Sequence, residues 1–168
     1  MYFIRLFCVI IIFLSFISCS KKIQDTPTIN QNNLELQTIE AYREGLKELE
    51  RGDVLYAAKK FNEAEILFPQ SEIAPQAALM AAYSYYSQNY YSDSIAELER
   101  FLKVYPNHKN LAYAEYLLGL CYYEQIVDEK KDLKSIENSK RIFLNIIKKY
   151  PKTDFAIDSE FKLDLIVD

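Results

Sequence analysis

The residues of this chain with chemistry to offer are few and scattered. His108, the sole histidine, sits in Pro106-Asn107-His108-Lys109-Asn110, a polar turn. A catalytic base needs a positioned partner and a substrate pocket, and no nucleophile stands beside it, so it reads as a turn residue. Glu63, Glu65, Glu97 and Glu99 lie on helical faces among lysines and arginines. That pattern reads as solvated surface with i,i+4 pairing rather than an acid–base dyad. Of the three cysteines, Cys8 lies in an apolar leader, Cys19 follows that leader, and Cys121 stands alone on an apolar helix face. They give neither a disulfide framework nor metal-ligand spacing, and Cys121 reads as a small packing residue. Lys130-Lys131 and Lys148-Lys149 are too sparse for a nucleic-acid patch, and 20 basic against 24 acidic residues, net −4, supply no basic field. The expectation is a protein that is not an enzyme, with no catalytic residue, metal, cofactor or nucleic-acid partner.

One residue does point to covalent chemistry. Arg5 precedes an almost wholly apolar run, Leu6 to Ile17. Twelve residues are too few to span a bilayer as a helix, which needs about 20, so residues 1–18 read as a signal peptide. Ser18-Cys19 closes the run and resembles the bacterial lipobox, with Phe16 in place of the usual leucine. The resemblance implies diacylation of the Cys19 thiol, cleavage before Cys19 and acylation of the new amine. Several acyl chains anchor far more firmly than one, at about 0.8 kcal/mol per buried CH₂. Ser20 after the cysteine resembles outer-membrane sorting. Residues 19–33, rich in Asn, Gln and Lys with Pro27, read as a flexible tether between lipid and domain.

The elements beyond the tether are set by three prolines. Pro69, Pro106 and Pro151 each follow a short apolar-periodic helix; eight residues before each stands Phe61, Leu98 or Phe143, and twelve before, Ala57, Ser94 or Ser139. A small residue, a large one four later, then a helix-stopping proline resembles the second half of a tetratricopeptide repeat, as does Leu118-Gly119-Leu120-Cys121-Tyr122. Residues 34–168 are therefore expected to form an all-α superhelix, an α-solenoid of about three and a half helical pairs. The expected helices are Leu36–Glu50 and Val54–Phe68, Pro75–Gln88 and Ser92–Val104, Leu111–Val127 and Ser135–Lys149, and a last one from Asp154. Gly45, Ala82 and Gly119 share one repeat position, and Ala57, Ser94 and Ser139 are expected to face them. The prolines are 37 and 45 residues apart against about 34 in the simple repeat, so Val127–Lys134 reads as an insertion, an exposed charged loop. Asp154–Asp168 reads as the first helix of a fourth repeat, so the chain is either a fragment or completes its core against another protein.

Such repeats bury nothing alone; stacking them creates a concave partner surface lined by their first helices. The inward positions there are Tyr42, Leu46 and Leu49, then Leu79, Tyr83 and Tyr86, then Tyr116, Leu120 and Tyr123. Tyrosine brings rigid amphipathic contact area and is enriched at binding sites, although part of a set of 14 must also pack between repeats. None of Tyr42, Leu46, Leu79, Tyr83, Tyr116 and Leu120 is charged, which argues against a Lys/Asn clamp for a terminal carboxylate.

Pro69-Gln-Ser-Glu-Ile-Ala-Pro-Gln-Ala-Ala-Leu-Met-Ala-Ala-Tyr83 closely resembles the first inter-repeat junction of the BamD family, the outer-membrane protein assembly lipoproteins of Gram-negative bacteria. Glu99-Arg100-Phe101-Leu102, Tyr105-Pro106-Asn107-His108, and Tyr113 to Ile126 continue the match. The resemblance implies a lipid-anchored protein on the periplasmic face of the outer membrane. Its expected partners are the barrel insertase BamA, other assembly-complex lipoproteins and unfolded β-barrel precursors. The family usually has about five repeats and meets the insertase mainly through the later ones. Other periplasmic repeat lipoproteins, a pilus-secretin pilotin or a division-linked envelope factor, are the alternative; a helical-repeat glycan hydrolase is disfavoured because repeats consume the ordered chain.

Overall fold

The structure, a computed structural model, describes residues 31–127 and 133–167. The expected lipidation site Cys19, the expected signal peptide, residues 19–30 of the expected tether and residues 128–132 of the expected insertion lie outside the described residues. The described part is seven helices with no strand: α1 Gln31–Glu50, α2 Val54–Leu67, α3 Ile73–Tyr86, α4 Tyr91–Val104, α5 Leu111–Val127, α6 Leu133–Lys149 and α7 Asp154–Val167. Helix α1 starts earlier than expected and takes in Gln31, Asn32 and Asn33 of the predicted tether; the Gln37 amide donates to Asn33 Oδ1 at 2.9 Å across one helical turn. Helix α3 starts two residues before Pro75, which falls in the first turn, where its missing N–H leaves no bond unmade. Within the predicted insertion, Val127 belongs to α5 and Leu133 and Lys134 to α6.

Local chemistry explains the turns. Helix α1 ends in a Schellman motif: Gly52 has φ +83°, the Asp53 N–H reaches the Glu48 carbonyl and the Gly52 N–H reaches Leu49, both at 3.0 Å. Asp53 then caps α2, its Oδ1 accepting from the Tyr56 N–H at 3.1 Å. The same bonds recur after α3, where Asn89 takes φ +65° and the Tyr90 and Asn89 N–H groups reach Tyr85 and Tyr86. The loops after Pro69 and Pro151 share a cap as well: Ser71 Oγ accepts from the Ala74 N–H at 3.1 Å and Thr153 Oγ1 from the Ala156 N–H at 3.3 Å.

Within each pair the packing differs in one respect from the expectation. Ser94 does face Ala82, donating to its carbonyl at 2.9 Å. The nearest groups to Gly45 and Gly119, however, are not Ala57 and Ser139 but the fully buried rings of Phe61 and Phe143. A Cβ on Gly45 would lie 2.8 Å from Phe61 Cε1, and one on Gly119 2.7 Å from Phe143 Cε1. The large residue eight before the proline is thus the knob, and the glycine is the hole that admits it. Around Phe61 the first core is nearly all alanine, with Ala41, Ala57, Ala58, Ala64, Ala77 and Ala81, so three helices approach closely. The second core gathers Leu98, Phe101, Leu117, Cys121, Ile142, Phe143 and Ile146.

Successive first helices approach one another closely (α1 with α3, α3 with α5, α5 with α7), whereas no comparable backbone approach joins α2 to α4 or α4 to α6. A stack pinched on one side and spread on the other bends toward the first helices.

The glycine–phenylalanine interlock yields the first expected outcome. Gly119→Ala overpacks the contact and costs about 1–3 kcal/mol in urea unfolding. Phe143→Leu, destabilising alone, opens the space, so the double variant loses less than the two single changes together.

Candidate functional site

Tyr42 on α1, Gln76, Leu79, Met80 and Tyr83 on α3, and Tyr113 on α5 converge on the first-helix side around a cavity of about 390 Å³, completed by Lys109 and Asn110 just ahead of α5. The spacing of 76, 79, 80 and 83 puts all four on one face of α3. The close approach of α1, α3 and α5 brings the three elements to one rim. Tyr83 is 36% exposed and Leu46, one turn beyond Tyr42 on α1, equally so. Burial raises the pKa of Tyr42 and pushes the Tyr113 hydroxyl up to about 12, so at neutral pH both are uncharged donors and acceptors. Lys109 is the only side chain of the lining that carries a formal charge. The groove can therefore hold apolar or aromatic side chains against rings while amide and phenol groups meet a backbone.

The remaining predicted residues are not brought to this groove. Tyr86 packs on Tyr91 with ring centroids 5.9 Å apart. Tyr116 stacks on Phe155 of α7 at 5.2 Å and donates to Asp158 at 2.6 Å. Tyr123 lies against Phe143, with the Lys162 ammonium 4.7 Å from its ring centroid, and Leu120 is buried. Helix α7 thus packs against Tyr116 and Tyr123 of the third repeat. Conversely, Gln76, Met80, Lys109, Asn110 and Tyr113 were missed. Tyr113 stands one turn before Tyr116, a signal present in the spacing; Lys109 and Asn110 belong to a turn that helical periodicity does not describe.

The second-helix side corrects the reading of the carboxylates. Glu65 is 7% exposed and accepts both arms of the Arg100 guanidinium at 2.8 and 2.6 Å, together with the Tyr105 hydroxyl at 2.7 Å. Arg100 also reaches Glu97 at 2.9 Å. This fork ties α2 to α4 across 35 residues of sequence rather than decorating a surface. A related tie joins α5 to α6, where Glu115 accepts from Lys149 at 2.5 Å and Asn145 at 2.9 Å.

His108 and Cys121 have structural surroundings. His108 Nδ1 accepts from the Asn110 N–H at 3.3 Å, and its ring meets Phe101 edge-on at 5.6 Å. Cys121 is fully buried beside the Ser94 hydroxyl at 3.3 Å, and burial pushes its thiol up to about 11, where little nucleophilic thiolate exists. Among the described residues no group of three or more His, Cys, Asp or Glu is placed to hold a metal ion, and no helix is long and apolar enough to cross a membrane.

Stacked helical pairs, glycine–ring interlocks and proline-ended second helices define a tetratricopeptide-repeat solenoid. The C-terminal TPR-containing domain of a Plasmodium falciparum FK506-binding protein has a similar fold, with a TM-score of 0.55 over 80% of this chain and 88% of that one at 18% identity. The chain belongs to the YfiO outer membrane lipoprotein family, whose pattern matches residues 35–168. Its relatives include the outer membrane protein assembly factors BamD of Caulobacter vibrioides, 35% identical over 76% of this chain and 42% of that protein, and of Rickettsia prowazekii, 34% identical over 83% and 55%. The chain spans about half the length of the curated relatives it matches.

The tyrosines generate a pH prediction. Burial first, then the Asp158 carboxylate, hold Tyr116 protonated well above the ordinary tyrosine range; burial and Glu65 do the same for Tyr105. A pKa raised by folding gives stability that is complete below about 10, the unfolded value, and is lost as pH rises toward the folded value. Urea unfolding between pH 8 and 11.5 is expected to show a fall beginning near pH 10, shallower in Tyr116→Phe.

Proposed function

We propose that this chain is a non-enzymatic scaffold in the assembly of outer-membrane β-barrel proteins, and that its first-helix groove holds extended segments of unfolded barrel precursors. The observation that carries the reading is the groove of Tyr42, Leu79, Tyr83 and Tyr113 in a chain whose matched relatives are named as assembly factors. A barrel strand alternates apolar and polar residues. An extended segment of that pattern can lay its apolar side chains against the rings while its backbone meets the amides and phenols of the rim. Acylation at Cys19 would hold the groove at the periplasmic face of the outer membrane, beside the insertase BamA and the companion lipoproteins of the complex. Confinement there raises effective concentration, so weak contacts suffice. The confined His108 ring and buried Cys121 favour binding over catalysis.

Two measurements test this. A photo-crosslinking residue at Gln76 is expected to capture a urea-diluted barrel precursor but not the same protein once folded. Tyr42→Ala with Tyr83→Ala should weaken capture roughly tenfold, at about 0.5–1.5 kcal/mol per aromatic contact. Equal capture from Lys59 on α2, or capture indifferent to the two tyrosines, would sink the groove assignment. For the anchor, labelled palmitate should be incorporated by the wild type and not by Cys19→Ser.

A further inference from the structure

We propose a second docking surface on the opposite side of the stack: the groove between α4 and α6 takes an extended segment of a partner protein that pairs apolar side chains with carboxylates. The groove is a cavity of about 330 Å³. Leu102 and Pro106 line it from the α4 side, the nearly buried Leu118 and Ile142 lie deepest, and Arg141 and Lys149 stand on the α6 rim. The first junction serves as the comparison. There the ion pairs of Arg100 with Glu65 and Glu97 occupy the gap between α2 and α4. Counted back from the junction proline, the positions of Glu65, Glu97 and Arg100 hold Leu102, Ile142 and Asn145 at the second junction. Among the described residues no ion pair joins α4 to α6. A charged tie in one gap is thus an apolar recess in the next.

The rim sets the polarity of the occupant. By the same count, Arg141 and Lys149 stand where the first gap has Ala96 and Val104. Lys149 is balanced by Glu115. Arg141 is exposed and donates to the Asn138 side-chain oxygen at 3.3 Å, with no carboxylate partner among the described residues. The groove therefore presents one accessible, uncompensated positive charge beside apolar side chains. The bias extends along the helix: α6 carries five basic residues against one acidic in a chain of net charge −4. A guanidinium holds a carboxylate through two parallel N–H bonds, and apolar side chains seated beside the pair exclude water and strengthen it. A basic segment is repelled, and a purely apolar one gains nothing from Arg141. A helix about 10–12 Å across is too wide for a recess of this volume, and a flat bilayer surface cannot reach Leu118. The proposal is independent of the first-helix groove, since the two cavities share no residue.

The test uses the full chain and three end-blocked synthetic probes, read by fluorescence anisotropy and amide NMR shifts. The first is Asp-Leu-Asp-Phe-Asp-Leu-Asp; the second replaces each aspartate with lysine, and the third replaces leucine and phenylalanine with serine. The first peptide is expected to bind, to shift Leu102, Leu118 and Arg141, and to exceed each of the others about tenfold or more. Its affinity should fall with added salt. Arg141→Glu, a change at an exposed site, should weaken binding about tenfold with an unchanged melting temperature, whereas Lys59→Glu, the same change of charge on α2, should leave it unaltered. No binding at millimolar peptide, equal affinity for the lysine or serine peptide, equal losses in Arg141→Glu and Lys59→Glu, or shifts confined to Tyr42, Tyr83 and Tyr113 would overturn the proposal. So would displacement of the peptide by phosphatidylglycerol vesicles, which would make a lipid headgroup the occupant. A dimer in sedimentation that Arg141→Glu dissociates would overturn it too, because the occupant would then be a second copy of the chain.

Discussion

A phenylalanine ring seated on a glycine fixes the register of this fold. Phe61 over Gly45 and Phe143 over Gly119 leave no room for a single added carbon, so each pair of helices has one closest point and one rotation about it. Both rings are fully buried, and full burial of such a side chain contributes about 1.5–3 kcal/mol. The second pair solves the same problem differently. Ala82 meets Ser94, whose hydroxyl donates to the Ala82 carbonyl and accepts from the Cys121 thiol, joining the second repeat to the third through polar atoms that are all satisfied. Once this rotation is set, the residues on the far sides of the helices have no choice of environment.

The two sides of the stack then serve different ends. On the first-helix side, backbone approach is close and neutral side chains stand upright around a groove. On the second-helix side, α2 and α4 are farther apart and a long charged residue spans the gap, as Arg100 does to Glu65. A buried carboxylate is costly unless its acceptor sites are met. Glu65 meets that condition with two guanidinium bonds and a phenol. Tyr105 supplies that phenol from the residue before Pro106, so the residue that ends one repeat also fastens it to its predecessor.

Helix boundaries were legible because their causes are local: Gly52 and Asn89 demand a left-handed turn, Asp53 a cap, and the prolines a stop. The interlock was legible as a small–large spacing, although the partners were misassigned by one turn, because spacing gives the face of a helix and not the height at which its neighbour crosses. Glu65 was misread for a related reason. Its helical neighbours are charged, and nothing within its own helix reveals that Arg100 lies 35 residues away across a gap. The tyrosines divided for a third reason: periodicity assigns Tyr42, Tyr83, Tyr116 and Tyr123 to equivalent faces, but what lies over each face is a property of the next helix.

The difference between the open groove and the closed one reduces to a single repeat position. Counting from the junction prolines, Phe155 after Pro151 corresponds to Asn110 after Pro106. Backbone turns support that register: the Leu111 N–H reaches the His108 carbonyl at 3.2 Å and the Ala156 N–H the Thr153 carbonyl at 3.0 Å. At the third junction Phe155 stacks on Tyr116 and contacts Tyr113, filling the space between α5 and α7. At the second junction the short amide of Asn110 borders the cavity beside Tyr83 and Tyr113 instead. An aromatic ring at this position packs against inner-face tyrosines; a small polar residue leaves a cavity beside them. Accessibility of the inner face is therefore controlled less by the tyrosines than by the residue that follows each junction, where the backbone enters the next first helix and its side chain meets the previous one.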